Sequence, residues 1–135
     1  MKRTKIKRHS REPISKIQRK LWHLCKEITR KKYPHICYTC GSKNLSGSNL
    51  QTGHMIAKAS LGAYLKYDLR LLRPQCARCN LWEGGQGALF ITYMREREGD
   101  KYVDEILADR KVTVKAYDHY LSLITKYEKI LKELE

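Results

Sequence analysis

Two Cys-x-x-Cys knuckles, Cys37 with Cys40 and Cys76 with Cys79, stand 35 residues apart in this 135-residue chain. Two such knuckles bring four thiolates into a tetrahedron, the arrangement of a structural zinc site. Disulfides would need an oxidising compartment, and the basic start of the chain is not followed by the apolar core of an export signal. A redox Cys-x-x-Cys comes singly, near a βαβ pattern. One structural Zn²⁺ per chain is therefore expected. Zinc binding can supply ~10–16 kcal/mol of folding free energy, enough to hold a loop-rich segment over a modest core. The fifth cysteine, Cys25, lies beside the apolar stripe of a predicted helix and reads as a buried thiol.

The rest of the chain predicts mostly helix. Pro13 suits a first helical turn. Ile14, Ile17, Leu21, Leu24 and Ile28 then recur on one face, with Trp22 and Cys25 widening it. Pro34 stops that helix at Tyr33. Ile36–Tyr38 and Leu50–Ala57 read as extended, and Asp68–Arg73 alternates until Pro74 ends it. A helix from Ala77 is broken near Gly84, Gly85 and Gly87. Helices are predicted over Ala88–Arg97, over Asp100–Arg110 with Asp100 as its cap, and from Thr113 to the end. In the last, Tyr117, Tyr120, Ile124, Tyr127, Leu131 and Leu134 form a heptad-like seam that either docks on its own domain or pairs two chains. The resulting organisation is a basic arm over 1–11 and one domain over 12–135. That domain comprises a basic helix (12–33), a zinc-framed core (35–97) and C-terminal helices (98–135).

Charge is unevenly placed on this frame. The chain carries 28 Lys and Arg against 14 Asp and Glu. Residues 1–32 hold a net +11, residues 33–95 a net +5, and the remainder a net −2. No run of residues approaches a membrane span. A basic front and a near-neutral support point to a polyanionic partner, nucleic acid above all. Phosphate contacts are expected from Lys2, Arg3, Lys5, Lys7, Arg8 and Arg11 in the arm, and from Lys16, Arg19 and Lys20 on the first helix.

Inside the zinc frame lies Gly53-His54-Met55, and Asn80 follows the last cysteine. A zinc ribbon that only binds needs neither residue. A nuclease can use both, the histidine to deprotonate a water and the amide oxygen to help hold Mg²⁺ against a phosphate. Lys58, Lys66, Arg70, Arg73 and Arg78 flank the pair, and phosphate binding is expected of them too.

Gly53-His54-Met55-Ile56, Tyr67-Asp68-Leu69, Arg73-Pro74-Gln75-Cys76, Cys79-Asn80 and Tyr102-Val103-Asp104-Glu105-Ile106 together resemble the HNH, or ββα-metal, nucleases. Within these the chain most resembles the NinG/Rap recombination endonucleases of bacteriophages. The run Cys79-Asn80-Leu81-Trp82-Glu83-Gly84 is also similar to phage endonuclease VII. The resemblance implies an α+β fold, a zinc-stapled ββα-metal core flanked by the basic N-terminal helix and C-terminal helices. It implies His54 as general base, Asn80 as ligand of a catalytic Mg²⁺ or Mn²⁺, and Glu83 as a supporting acid on the face of Asn80. Two positions depart from the common pattern. Gly53 replaces an aspartate ligand, and Leu71 replaces an asparagine that orients the histidine. Asp68 or Glu83 is then the remaining candidate for a further ligand.

The function so implied is metal-dependent cleavage of branched DNA, such as Holliday junctions and D-loops. A homodimer is implied, as are phage or host recombination proteins as partners and the cytoplasm of a bacterial host. The alternatives are a non-catalytic zinc-ribbon module that binds nucleic acid, and an HNH nuclease with a homing or restriction role.

Overall fold

The computed structural model describes residues 11–135. Lys2, Arg3, Lys5, Lys7 and Arg8 of the basic arm lie outside the described residues.

Helix α1 spans Ile14–Lys32, and the chain leaves it extended at Tyr33 (φ −114°, ψ 151°), as the following proline requires. Its buried face carries Ile17, Leu21, Leu24, Cys25, Ile28 and Thr29. Ile14 alone of the predicted stripe is exposed, because it sits at the helix start beyond the packed surface. The final helix α5, Ala116–Glu133, lays Tyr120, Ile124 and Tyr127 against that face. Tyr117 Oη donates to the Glu12 carbonyl, Lys20 pairs with Glu128, and Lys31 pairs with Glu135. Start thus meets start and end meets end, so α1 and α5 run in the same direction. The heptad-like seam is therefore used inside one chain. Leu134, its last member, stays exposed.

Along the chain between these helices comes a two-stranded antiparallel sheet, which packs on α1. Strand β1 is Gln51–His54 and strand β2 is Leu72–Gln75, with His54 opposite Leu72 and Gly53 opposite Arg73. Strand β1 is shorter than Leu50–Ala57, since a 3₁₀ turn begins at Lys58. Pro74 lies within β2 rather than ending it, opposite Thr52. In a sheet of two strands each strand is an edge, where a missing N–H is tolerated. Ile36–Tyr38 is a turn, not a strand, although Tyr38 donates its N–H to the Pro74 carbonyl at 2.9 Å. The short helix α2, Ala63–Lys66, and a 3₁₀ turn at Leu69–Leu71 join the strands.

The helix predicted from Ala77 is a five-residue π turn, Arg78–Trp82, closed by Gly84 and Gly85 in left-handed backbone at φ 62° and 84°. Helices α3, Gly87–Glu98, and α4, Asp100–Ala108, follow. Gly99, at φ 99°, is the hinge between them and the residue flanking α4, with no side-chain cap from Asp100. Met55, Leu61, Leu65, Leu71, Phe90, Met94, Val103 and Ile106 make a second core on this side of the sheet. The molecule is thus mixed α+β, mostly helical. No helix among the described residues is long and apolar enough to cross a membrane.

Candidate functional site

The two knuckles converge. The Sγ atoms of Cys37, Cys40, Cys76 and Cys79 all lie within 4.8 Å of one another, and Cys40 and Cys76 are 3.7 Å apart. Four sulfurs at about 2.3 Å from one zinc ion stand about 3.8 Å apart in a tetrahedron. Backbone amides already point at two of them, Cys40 N–H at Cys37 Sγ and Cys79 N–H at Cys76 Sγ. Although burial opposes it, amide and hydroxyl hydrogen bonds hold the Cys37 thiol down at about 6. Burial, with the neighbouring thiols, pushes Cys79 up to about 12. A zinc ion held there would take all four as thiolates. The cluster can hold a zinc ion. Cys25 stands apart from it, fully buried, its thiol pushed up to about 12 by burial.

His54 closes β1. Its Nε2 donates to the Lys66 carbonyl at 3.1 Å. A carbonyl only accepts, so the proton sits on Nε2 and Nδ1 keeps its lone pair. The Trp22 indole of α1 stacks on the imidazole, centroids 5.2 Å apart and planes 19° from parallel. Burial, and then the Lys58 charge, lower the histidine to about 4, against the Lys66 hydrogen bond. At neutral pH it is an unprotonated imidazole with one nitrogen free to take a proton. Leu71, where an asparagine would orient such a ring, is buried in the second core. The Lys66 carbonyl and Trp22 orient the ring instead.

Asn80, in the π turn, is oriented by a relay. Gln51 Nε2 donates to the Ser48 carbonyl at 2.9 Å, which turns Gln51 Oε1 toward Asn80. Asn80 Nδ2 donates to that oxygen at 2.8 Å. Its own Oδ1 accepts no hydrogen bond among the described residues. His54 and Asn80 then line one cavity of about 580 Å³, together with Lys58, Gly84, Gly85 and Arg110.

Other expected residues lie elsewhere. Glu83 leaves the face of Asn80 because the π turn, with Glu83 N–H bonded to the Arg78 carbonyl five residues back, is wider than an α turn. Its carboxylate meets Arg78 and Gln86. Asp68 accepts from the Arg70 backbone and guanidinium, and Arg70 also binds Asp109 at 2.8 Å. Both belong to a separate hollow under α5, so Asp68 is not a ligand beside Asn80 and Arg70 is not a free phosphate contact. Arg73 is only 2% exposed. Its guanidinium lies over the Tyr33 ring and donates to Tyr102 Oη and the Leu72 carbonyl, with Glu98 at 3.4 Å. It is a structural cation, not a phosphate contact. Arg11 packs over the Tyr117 ring, and Lys16 pairs with Glu12. Lys58 Nζ lies 4.5 Å over the Trp22 ring, while Arg19 and Arg78 stay exposed.

Among the described residues, no carboxylate lines the His54–Asn80 cavity. Mg²⁺ is usually held by one or two carboxylates plus substrate phosphates. One amide oxygen beside two cations fits Mg²⁺ or Mn²⁺ only jointly with phosphate oxygens brought by a substrate.

Trp22, Gln51 and Arg110 were not predicted as site residues. The stripe of α1 contains Trp22 but says nothing of the imidazole it covers. Gln51 and Arg110 carry no local signal, because tertiary packing alone brings Gln51 to Asn80 and Arg110 to the cavity.

Fold and site together define a small α+β protein with a four-cysteine cluster that can hold a zinc ion, beside a histidine–asparagine cleft. The chain belongs to the NinG family: the family model described as "Bacteriophage Lambda NinG protein" matches residues 1–135. It is similar to Protein ninG of Salmonella phage P22, 29% identical over 98 residues, covering 73% of this chain and 47% of that one. The chain thus spans about half the length of that relative. No solved structure matches it.

Proposed function

We propose that the chain is an HNH-type, metal-dependent DNA endonuclease that cuts branched recombination intermediates such as Holliday junctions and D-loops. The observation that carries this reading is that His54, held by the Lys66 carbonyl, and Asn80, held by Gln51, line one cavity. In this reading the paired strands β1 and β2 with the π turn would stand for the ββα frame, and zinc on the cysteine cluster would staple it.

In this reading Lys58 and Arg110 draw a backbone phosphate into the cavity. His54 Nδ1 takes the proton of the attacking water, and the Lys66 carbonyl holds the opposite edge of the ring. Asn80 Oδ1, with phosphate oxygens, would hold Mg²⁺ or Mn²⁺. When bound, that ion polarises the phosphoryl oxygen and stabilises the leaving 3′ oxygen. The products carry a 5′-phosphate and a 3′-hydroxyl. A homodimer would place two such cavities on one branched DNA, through a surface other than the internal α1–α5 seam. Recombination proteins of the phage or its bacterial host are its proposed partners, in the host cytoplasm.

The cavity's lack of a carboxylate favours a second reading, a zinc module that binds branched DNA without cutting it. One experiment separates them. Purified protein is incubated with four-way junction, flap, D-loop, plain duplex and single strand, with Mg²⁺, with Mn²⁺ and with neither. Metal-dependent cutting of branched forms, lost in His54→Ala while junction binding survives, supports the nuclease. Binding without cutting in protein carrying one zinc per chain supports the second reading.

A further inference from the structure

The π turn that carries Asn80 ends in Leu81 and Trp82, which are 63% and 82% exposed. Trp82 is the most exposed of the large apolar side chains among the described residues. Its position is specific. Asn80 on one side of the pair and Gly84 and Gly85 on the other all line the His54 cavity. Trp82 itself does not line the cavity; it stands exposed in the short segment that borders it. An α-helix starting at the second knuckle would have placed this segment differently. The π geometry and the left-handed glycines that close it are what hold Leu81 and Trp82 outward.

We propose that Trp82, backed by Leu81, is a stacking wedge for a base left without a stacked neighbour at a DNA branch point. The proposal rests on the DNA-binding part of the function proposed above. Three observations favour this occupant. Exposed Arg78, which shares its guanidinium with Glu83, lies one helical turn before Trp82. Lys58 and Arg110 stand in the adjoining cavity, where the flanking phosphate would lie. The patch is also too small for a protein interface. Two side chains offer at most ~400 Å², whereas a stable dimer buries ~800 Å² per partner. A branch point offers what a continuous duplex does not, an aromatic base face open to an indole. Stacking needs no base-edge contact, so it selects structure without selecting sequence.

The chain has only two tryptophans, so Trp22→Phe leaves Trp82 as the sole indole reporter. That variant is titrated with four-way junction and with linear duplex, without added divalent cation. In parallel, wild type and Trp82→Ala are compared by fluorescence anisotropy on labelled junction and duplex. Unchanged zinc content and circular dichroism show that Trp82→Ala is folded. The expected result is quenching of Trp82 by junction. Trp82→Ala should weaken junction binding about tenfold, the weight of one stacked base, and duplex binding less than twofold. Junction binding with unquenched Trp82 and no loss in Trp82→Ala overturns the wedge and leaves the nuclease reading standing. A wild type that binds neither DNA overturns both. A smaller particle for Trp82→Ala than for wild type in DNA-free sedimentation, with no quenching by junction, overturns the wedge in favour of a protein contact.

Discussion

A Cβ placed on Gly53 would lie 1.8 Å from Oε1 of Gln75. Gln75 cannot yield that space cheaply. It is fully buried, and its Nε2 is tied to Thr39 Oγ1 and to the Gly85 carbonyl. The carbonyl fixes which end of the amide is nitrogen, so Oε1 is the atom that faces Gly53, with no hydrogen-bond partner of its own. The residue before His54 is glycine because its cross-strand neighbourhood is already full.

Restoring an aspartate there should harm the protein rather than improve it. Gly53→Asp is expected to cost roughly 1–3 kcal/mol through overpacking alone. It should melt several degrees lower than wild type and bind Mn²⁺ no more tightly by electron paramagnetic resonance. Gly53→Asp combined with Gln75→Ala should recover part of the loss. Wild-type melting of Gly53→Asp alone would refute the packing account.

Zinc should be a folding ligand. Elemental analysis is expected to give one zinc per chain, and Cys79→Ser should lose it. Stripping the metal with a strong chelator should abolish the cooperative melt, since ~10–16 kcal/mol of binding energy exceeds the net stability of a typical domain. A chelated protein that melts as before would show the cluster to be dispensable.

The depressed His54 predicts a pH dependence with a definite sign. Its folded value is about 4, below the ordinary 6.5, so between these limits the unfolded chain binds more protons. Its contribution to stability is therefore fully present above pH 6.5 and is lost as pH falls toward 4. Cleavage should likewise persist below pH 6, with its acid limb nearer 4 to 5 than 6.5. Denaturant midpoints from pH 4.5 to 7 for wild type and His54→Gln should differ in slope, the variant being flatter. Identical slopes would mean that the imidazole titrates normally.

Arg73 and Arg110 should behave oppositely. Arg73 is buried among Tyr33, Tyr102 and Glu98, so Arg73→Gln is expected to lower the melting temperature while leaving the salt dependence of junction binding unchanged. Arg110 lines the cavity, so Arg110→Gln should keep the melting temperature. Its log–log salt slope should drop by up to ~0.9, one phosphate contact. A shallower slope in Arg73→Gln would return it to the DNA surface.

Much of this was legible in the residues. The knuckle spacing of Cys37, Cys40, Cys76 and Cys79 announces a metal cluster, because two-residue gaps leave thiols on one side of a tight turn. The stripe Ile17–Leu21–Leu24–Ile28 announces α1, because helical periodicity is local. The branching of roles among the arginines was not legible. Arg70, Arg73 and Arg78 look alike in sequence, yet the structure gives the first to two carboxylates, the second to a tyrosine-lined interior and the third largely to solvent. The π turn was illegible too, and with it the direction of Glu83, since one residue of extra winding leaves no compositional mark.

The sequence by itself determined the long helices α1, α3, α4 and α5, the cysteine spacing, and the presence of a histidine and an asparagine within its frame, all properties of spacing along the chain. The tertiary structure alone decided that His54 and Asn80 share a cavity and that Trp22, Lys66 and Gln51 orient them. It also decided that Gln75 reserves the place beside Gly53, and that Trp82 stands outside. Those outcomes depend on which distant side chains meet, and only packing in three dimensions, not periodicity or composition, selects the meeting.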